Sequence, residues 1–188
     1  SQLAVVVSAM GKTTNALEAI YEKAFLGQEF DELLQQLRQQ HLDTVRGLFG
    51  KENEEVPEAL DRYFIRLKFQ LLHAPDKSYD FGYDQVVSYG EYLSSLIFFR
   101  YLLHVDLPVT LLNARHLIRT DMTWREGEVS MEETSRQIRK EAEPILKSGI
   151  VLTQGFIGGC RKGNVTTLGR EGSDYTAALL GHCLEAES

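Results

Sequence analysis

The spacing of apolar residues changes period several times along the chain. Leu3–Val7 is an uninterrupted, mostly β-branched run followed by small and turn-forming residues, which predicts a buried strand. Thr13 or Thr14 is placed to cap the helix that follows. Leu17, Ile20 and Ala24, then Leu33, Leu34, Leu37, Val45 and Leu48, recur at helical spacing, and a break near Gly27 divides them into two helices. The charged stretch 50–56 interrupts the pattern, and Pro57 fits a helix start. Leu60, Phe64, Leu67 and Leu71 line one face of the next helix. Residues 74–82 read as a loop, and Tyr79, Phe81 and Tyr83 read as local packing. Asp84 to about Leu103 reads as one long helix, apolar on more than one side around LSSLIFF and therefore buried.

Beyond Pro108 the pattern shortens. VTLL predicts a strand, HLIRTD a strand and turn, and residues 121–128 a polar loop. Ser130 with Glu133 fits a capping box opening a helix to about Lys147, with Gly149 at its C-cap. Ile150–Thr153 predicts another strand. The glycines at 155, 158, 159, 163, 169 and 172 mark turns and close backbone approaches. Ser173 or Asp174 can cap a last helix through Leu184. Strands alternate with helices, so the class is α/β with a largely parallel sheet, and the helices of residues 13–105 form a long insertion between the first strand and the second.

With 188 residues the chain can bury one sizeable core. A formal net charge of -7 gives a nucleic-acid partner no electrostatic support. No apolar run approaches the roughly 20 residues that span a bilayer, and the stretch 3–7 is too short for a signal peptide. Cys160 and Cys183 make neither a disulfide framework nor a zinc site, and read as free thiols in a reducing cytoplasm. The histidines at 41, 73, 104, 116 and 182 show no ligand spacing and read as surface or ordinary polar residues.

Four stretches could carry chemistry. In VVVSAMGKTTN, residues 5–15, Gly11-Lys12-Thr13 spells the end of a P-loop. The first glycine of that motif would fall on Val6, inside the strand. Only three residues separate the strand from Gly11, too few to curl a nest of N–H groups around phosphates. The segment is either a plain strand-to-helix turn or a site where Ser8, Thr13 or Thr14 and the helix N-terminus hold a smaller anion such as a carboxylate. In TLGREGSDYTAALL, residues 167–180, Gly169 and Gly172 bracket Arg170 ahead of a helix. This is either a flexible capped turn or an anion site in which Arg170 grips a carboxylate in two places. TQGFIGG, residues 153–159, leaves the carboxyl end of a strand, where ligands sit in open α/β sheets. In SYGEYLSS, residues 88–95, Glu91 sits within a strongly apolar pattern. It either lies on an exposed face, pairs with an arginine, or serves as counter-charge for a ligand amine.

Taken together, VVVSAMGKTTN, SYGEYLSS, VLTQGFIG and TLGREGSDYTAALL, in this order and spacing, resemble the aspartokinases of the amino-acid kinase superfamily. The resemblance covers nearly the whole chain. It implies a three-layer α/β/α sandwich of the carbamate kinase-like type, with a mainly parallel sheet and a helical insertion. It implies ATP, with Mg, as cosubstrate and L-aspartate as acceptor, giving β-aspartyl phosphate in the first step to lysine, threonine and methionine. By motif, Ser8 and Thr14 would line the pocket near the side-chain carboxylate. Glu91 would pair with the α-amino group, Arg170 would clamp the α-carboxylate, and Phe156 would supply a wall. Ser173 and Asp174 would organise the catalytic centre. The resemblance further implies a cytoplasmic homo-oligomer that binds neither nucleic acid nor membrane. Glu171 departs from the family pattern, where many members carry glycine, and is expected to point away from the anion site. The family's KFGGTS-type lysine loop, its WTDVDG-type nucleotide segment and its ACT domains have no counterpart within these residues. The chain is therefore expected to be a catalytic-domain fragment holding most of the aspartate pocket, and inactive or nearly so alone. Two alternatives stay open: another amino-acid kinase acting on glutamate or a similar carboxylate, and a non-catalytic small-molecule binding module.

Overall fold

The computed structural model of the chain describes residues 2–50 and 53–186. Ser1, Glu187 and Ser188, and the Lys51-Glu52 pair inside the predicted break at 50–56, lie outside the described residues. Strand β1 (Leu3–Val7) leads into five helices: α1 (Thr13–Phe25), α2 (Asp31–Phe49), α3 (Glu55–Leu72), α4 (Tyr79–Val87) and α5 (Tyr89–His104). Then follow β2 (Val109–Leu112), a single turn α6 (Ala114–Leu117), β3 (Arg119–Thr120), α7 (Met131–Leu146), β4 (Ile150–Gln154), β5 (Ile157–Cys160), β6 (Val165–Thr167) and α8 (Gly172–Cys183).

Two small sheets form the frame. In the first, β4 lies between β1 and β2 and is parallel to both, with Val5 opposite Leu152 and Leu111 opposite the same residue. In the second, β5 lies between β3, parallel, and β6, antiparallel. Helix α5 packs on one face of the first sheet and α7 and α8 on the other. This is a three-layer α/β/α arrangement, mainly parallel, with α1–α5 as the insertion between β1 and β2. The second sheet was not expected: β5 reads IGGC and β6 only VTT, so glycine and shortness hide them from propensity.

The apolar spacing of the insertion becomes one core. Leu17, Ile20, Leu34, Leu37, Leu60, Phe64, Leu67 and Leu71 are all buried in it with Val86, Val87 and Leu93. A second cluster joins Leu117, Ile118, Ile138, Val151, Leu179 and Leu180 beneath the first sheet. β1 is less buried than predicted: Leu3 is 48% exposed, because among the described strands β1 has a neighbour only at β4.

Other expectations are corrected. His41 is no surface residue: it is fully buried, its Nδ1 is 2.8 Å from Leu37 O, and burial lowers its pKa. The loop at 74–82 is a short 3₁₀ turn at 74–76 followed directly by α4, so Tyr79, Phe81 and Tyr83 are helical. The long helix from Asp84 is instead two helices meeting at Ser88, whose hydroxyl donates to Gln85 O and competes with the backbone ladder. Ser130 does cap α7 through Glu133 N, but the Glu133 carboxylate turns to Arg161 rather than closing the box. Neither Thr13 nor Thr14 caps α1, and neither Ser173 nor Asp174 caps α8. Those helices have Lys12 and Glu171 at their N-caps with no side-chain cap; Thr13 N and Gly172 N donate to Met10 O and Gly169 O, and the next N–H groups, of Thr14 and Asn15 and of Ser173 and Asp174, stay available.

Candidate functional site

β1 and β4 are parallel neighbours, so the loops leaving their carboxyl ends emerge side by side. Loop 8–12 leads into α1, and Gly155-Phe156 leads into β5. A cleft of about 760 Å³ opens there. Ser8, Thr14, Glu91, Phe156, Arg170, Ser173 and Asp174 all line it, so the structure brings together the seven residues that the resemblance singles out; Thr13, the other candidate hydroxyl, is buried and does not line it.

Close packing sets their positions. A Cβ on Gly90 would lie 2.9 Å from Ala9 Cβ, so glycine there lets α5 press against loop 8–12. In that contact Ala9 N donates to Glu91 Oε1 at 3.2 Å, and Ser94 Oγ donates to Ser8 O at 2.7 Å. A Cβ on Gly155 would lie 2.6 Å from Ser173 Oγ, so this glycine lets the β4 end meet the start of α8. Phe156 follows in left-handed backbone (φ 64), costly for a bulky residue, with its N–H donated to Thr176 Oγ1. Thr176 in turn donates to Gly172 O.

Glu91 is 3% exposed. Its Oε1 has the Ala9 amide; its Oε2 is buried without a partner among the described residues. Desolvation pushes its carboxyl up to about 8, against the pull of the Ala9 amide. The exposed-face and arginine-paired readings of Glu91 are thereby set aside. Arg170 is 94% exposed at the cleft rim. The α1 and α8 N-termini, through Thr14 and Gly172–Asp174, border the same space, and their uncapped N–H groups favour negative charge. The cleft thus offers a buried, half-partnered acid, and groups at its rim that favour negative charge. Glu171 does not point away as expected: it also lines the cleft, in left-handed backbone (φ 56), its Oε1 3.9 Å from Arg170 Nε. As the residue before α8 it must turn the chain into the helix, and that turn sets its side chain at the rim.

Sequence reasoning missed the far wall, made by Glu18, Asp80, Tyr83 and residues 123–126. Its anchor is Asp84, fully buried on α4. Asp84 accepts the Arg125 amide on both oxygens at 3.1 and 3.0 Å, the Thr167 amide at 3.1 Å and the Thr167 hydroxyl at 2.7 Å. Burial lifts its carboxyl to about 6, against those hydrogen bonds. The Arg125 guanidinium lies 4.4 Å from the Tyr83 ring centre, and Tyr83 donates to Glu18 at 2.5 Å. The only sequence signal was an aspartate inside an apolar helix. Among the described residues no group of three or more His, Cys, Asp or Glu side chains could hold a metal ion, and no helix is long and apolar enough to cross a membrane.

An α/β sandwich with a buried, half-partnered acid and a rim favouring negative charge at its strand ends is built to receive a small charged molecule. Residues 1–188 match the amino acid kinase family, and the chain belongs to that family. It is 33% identical over 184 residues to the lysine-sensitive aspartokinase 3 of Escherichia coli (strain K12), covering 97% of this chain and 40% of that one. It is 32% identical over 197 residues to the bifunctional aspartokinase/homoserine dehydrogenase of Haemophilus influenzae, covering 98% of this chain and 23% of that one. The crystal structure of E. coli aspartokinase III in complex with aspartate and ADP superposes with a TM-score of 0.89 at 32% identity, over 98% of this chain and 40% of that one. The chain therefore spans well under half the length of these relatives.

Proposed function

We propose that the protein containing this chain is an aspartate kinase, transferring the γ-phosphoryl group of ATP to the side-chain carboxylate of L-aspartate. One observation carries the acceptor assignment: the buried, half-satisfied Glu91 carboxylate at the base of the cleft. An acid in that setting calls for a cationic partner, and the α-ammonium of an amino acid supplies one. Arg170 then takes the α-carboxylate with a two-pronged grip. Ser8, directly after β1, and Thr14, in the first turn of α1, receive the side-chain carboxylate that is to be phosphorylated.

Phosphoryl transfer asks chiefly for alignment and for stabilisation of charge on the moving group. Ser173 and Asp174, in the uncapped first turn of α8, organise that region, and the adjoining N–H groups suit phosphate oxygens. Magnesium has no cage of three protein ligands among the described residues, which suits an ion carried mainly by phosphate oxygens and neutralising their charge. The names of the relatives support this reading: all three are aspartokinases, and one structure is a complex with aspartate and ADP.

The test pairs calorimetry with turnover. L-Aspartate binds, and succinate, which keeps both carboxylates and lacks the amine, does not displace it from the cleft. Displacement of aspartate by succinate sinks the Glu91 assignment. In a coupled ADP-release assay the whole protein turns over with aspartate in preference to glutamate. Preference for glutamate makes it a different amino-acid kinase, and binding without turnover makes it a binding module.

A further inference from the structure

A second cavity, of about 260 Å³, lies where the insertion meets the rest of the fold. α3 contributes Tyr63, Arg66 and Gln70; the α4–α5 junction contributes Tyr89 and Tyr92; α6 contributes Arg115. Tyr63 stacks on Tyr92 at 24° and 6.1 Å, and Tyr89 stands edge-on to both rings, at 6.4 and 6.0 Å. None of the lining residues is acidic, in a chain of net charge -7. Neither Arg66 nor Arg115 has a carboxylate within ion-pair range among the described residues. Arg115 Nε is buried without a hydrogen-bond partner, a costly state for a guanidinium N–H.

We propose that this cavity is a second ligand site, which binds a small phosphate or carboxylate anion between Arg66 and Arg115 under a canopy of tyrosine hydroxyls. Two guanidinium groups supply fixed positive charge and forked donors. The Tyr89 phenol remains protonated and can donate: burial pushes it up to about 12, even with both arginines opposing the shift. The cavity is smaller than the about 300–1,000 Å³ typical of drug-sized ligands, so it suits an anion of a few heavy atoms. It is separate from the cleft but backs on to it, since Tyr92 and Phe156 pack on the same Ala114–Ile157–Val165 cluster. Tyr92 also follows Glu91 directly in α5.

The experiment is calorimetry with inorganic phosphate and with succinate on the wild type, R66Q, R115Q and R170A. We expect saturable binding of one probe that weakens about tenfold or more in R66Q and in R115Q and changes less than about twofold in R170A. The probe that binds more tightly identifies phosphate or carboxylate as the ligand class. Arg66 is exposed on α3, so R66Q tests the site without disturbing the core; far-UV circular dichroism verifies R115Q. No saturable binding of either probe overturns the proposal. So does binding that survives both arginine substitutions or that disappears in R170A. Loss of self-association in R66Q without probe binding overturns it as well, and assigns the arginines to contact with a second copy.

Discussion

The Ala9 amide donates to one oxygen of the Glu91 carboxylate and leaves the other buried and alone. The pairing aims the acid into the cleft while meeting half of its need. A ligand ammonium would meet the other half, and two predictions follow from that arithmetic of partners.

E91Q is expected to abolish aspartate binding and to stabilise the fold above neutral pH. The folded-state pKa is raised from 4.5 to about 8, so the folded protein holds a proton that the unfolded chain has released. That contribution to stability is complete below about pH 4.5 and is lost as pH rises through 8. Glutamine titrates nowhere in this window and still accepts from Ala9. E91Q should therefore match the wild type near pH 4 and exceed it by on the order of 1–3 kcal/mol at pH 8. Denaturant melts at the two pH values decide this; equal stability at both would mean the acid is solvated.

Aspartate binding should release a proton at neutral pH. Glu91 is mostly neutral in the free protein and ionised beside an ammonium. Below pH 8 the affinity should rise with pH, by up to about tenfold per unit. Calorimetry at pH 7 in two buffers of different ionisation enthalpy counts the proton directly. A heat independent of buffer would contradict the pairing.

D84N should loosen the far wall of the cleft. All donors around Asp84 are N–H or O–H groups, and an amide nitrogen placed among them presents donor to donor. The expected loss is about 2–3 kcal/mol of stability, with weaker aspartate binding. Trp124, beside Arg125, is the chain's one tryptophan, and its emission should shift as the 121–128 loop is released. An unchanged spectrum would place the anchor elsewhere.

E171G should improve the site. Position 171 has φ 56, which costs a non-glycine residue about 1 kcal/mol. The substitution also removes a carboxylate 3.9 Å from Arg170. Stability should rise by about 0.5–1 kcal/mol, and aspartate should bind a few-fold tighter. Weaker binding would show that Glu171 itself holds ligand.

What the sequence disclosed about this molecule depended on range. The faces of α1 and α3 follow from spacing within a helix, and each buries as patterned. The cleft residues sit in loops after strands, where chain direction alone places them together. Asp84 was invisible because its partner Thr167 is 83 residues away and neither residue type demands the other. β5 was hidden for the opposite reason: local propensity there is weak, and the close approach of Gly159 to Arg115 and of Gly158 to Thr120 decides the backbone. The strain at Phe156 and Glu171 likewise leaves no mark in residue type.

The central place of β4 governs how the chain can assemble. β1 and β2 lie more than a hundred residues apart, yet among the described residues each pairs only with the strand at Ile150–Gln154. The helices between them close through short-range contacts and can form early; the first sheet waits for nearly the whole chain. During synthesis β1 lacks its described partner β4 until residues 150–154 have been made. Slowing translation before residue 150 should therefore raise aggregation of nascent chains more than the same pause placed once residues 150–154 have cleared the ribosome, because only the later pause finds β1 paired with β4.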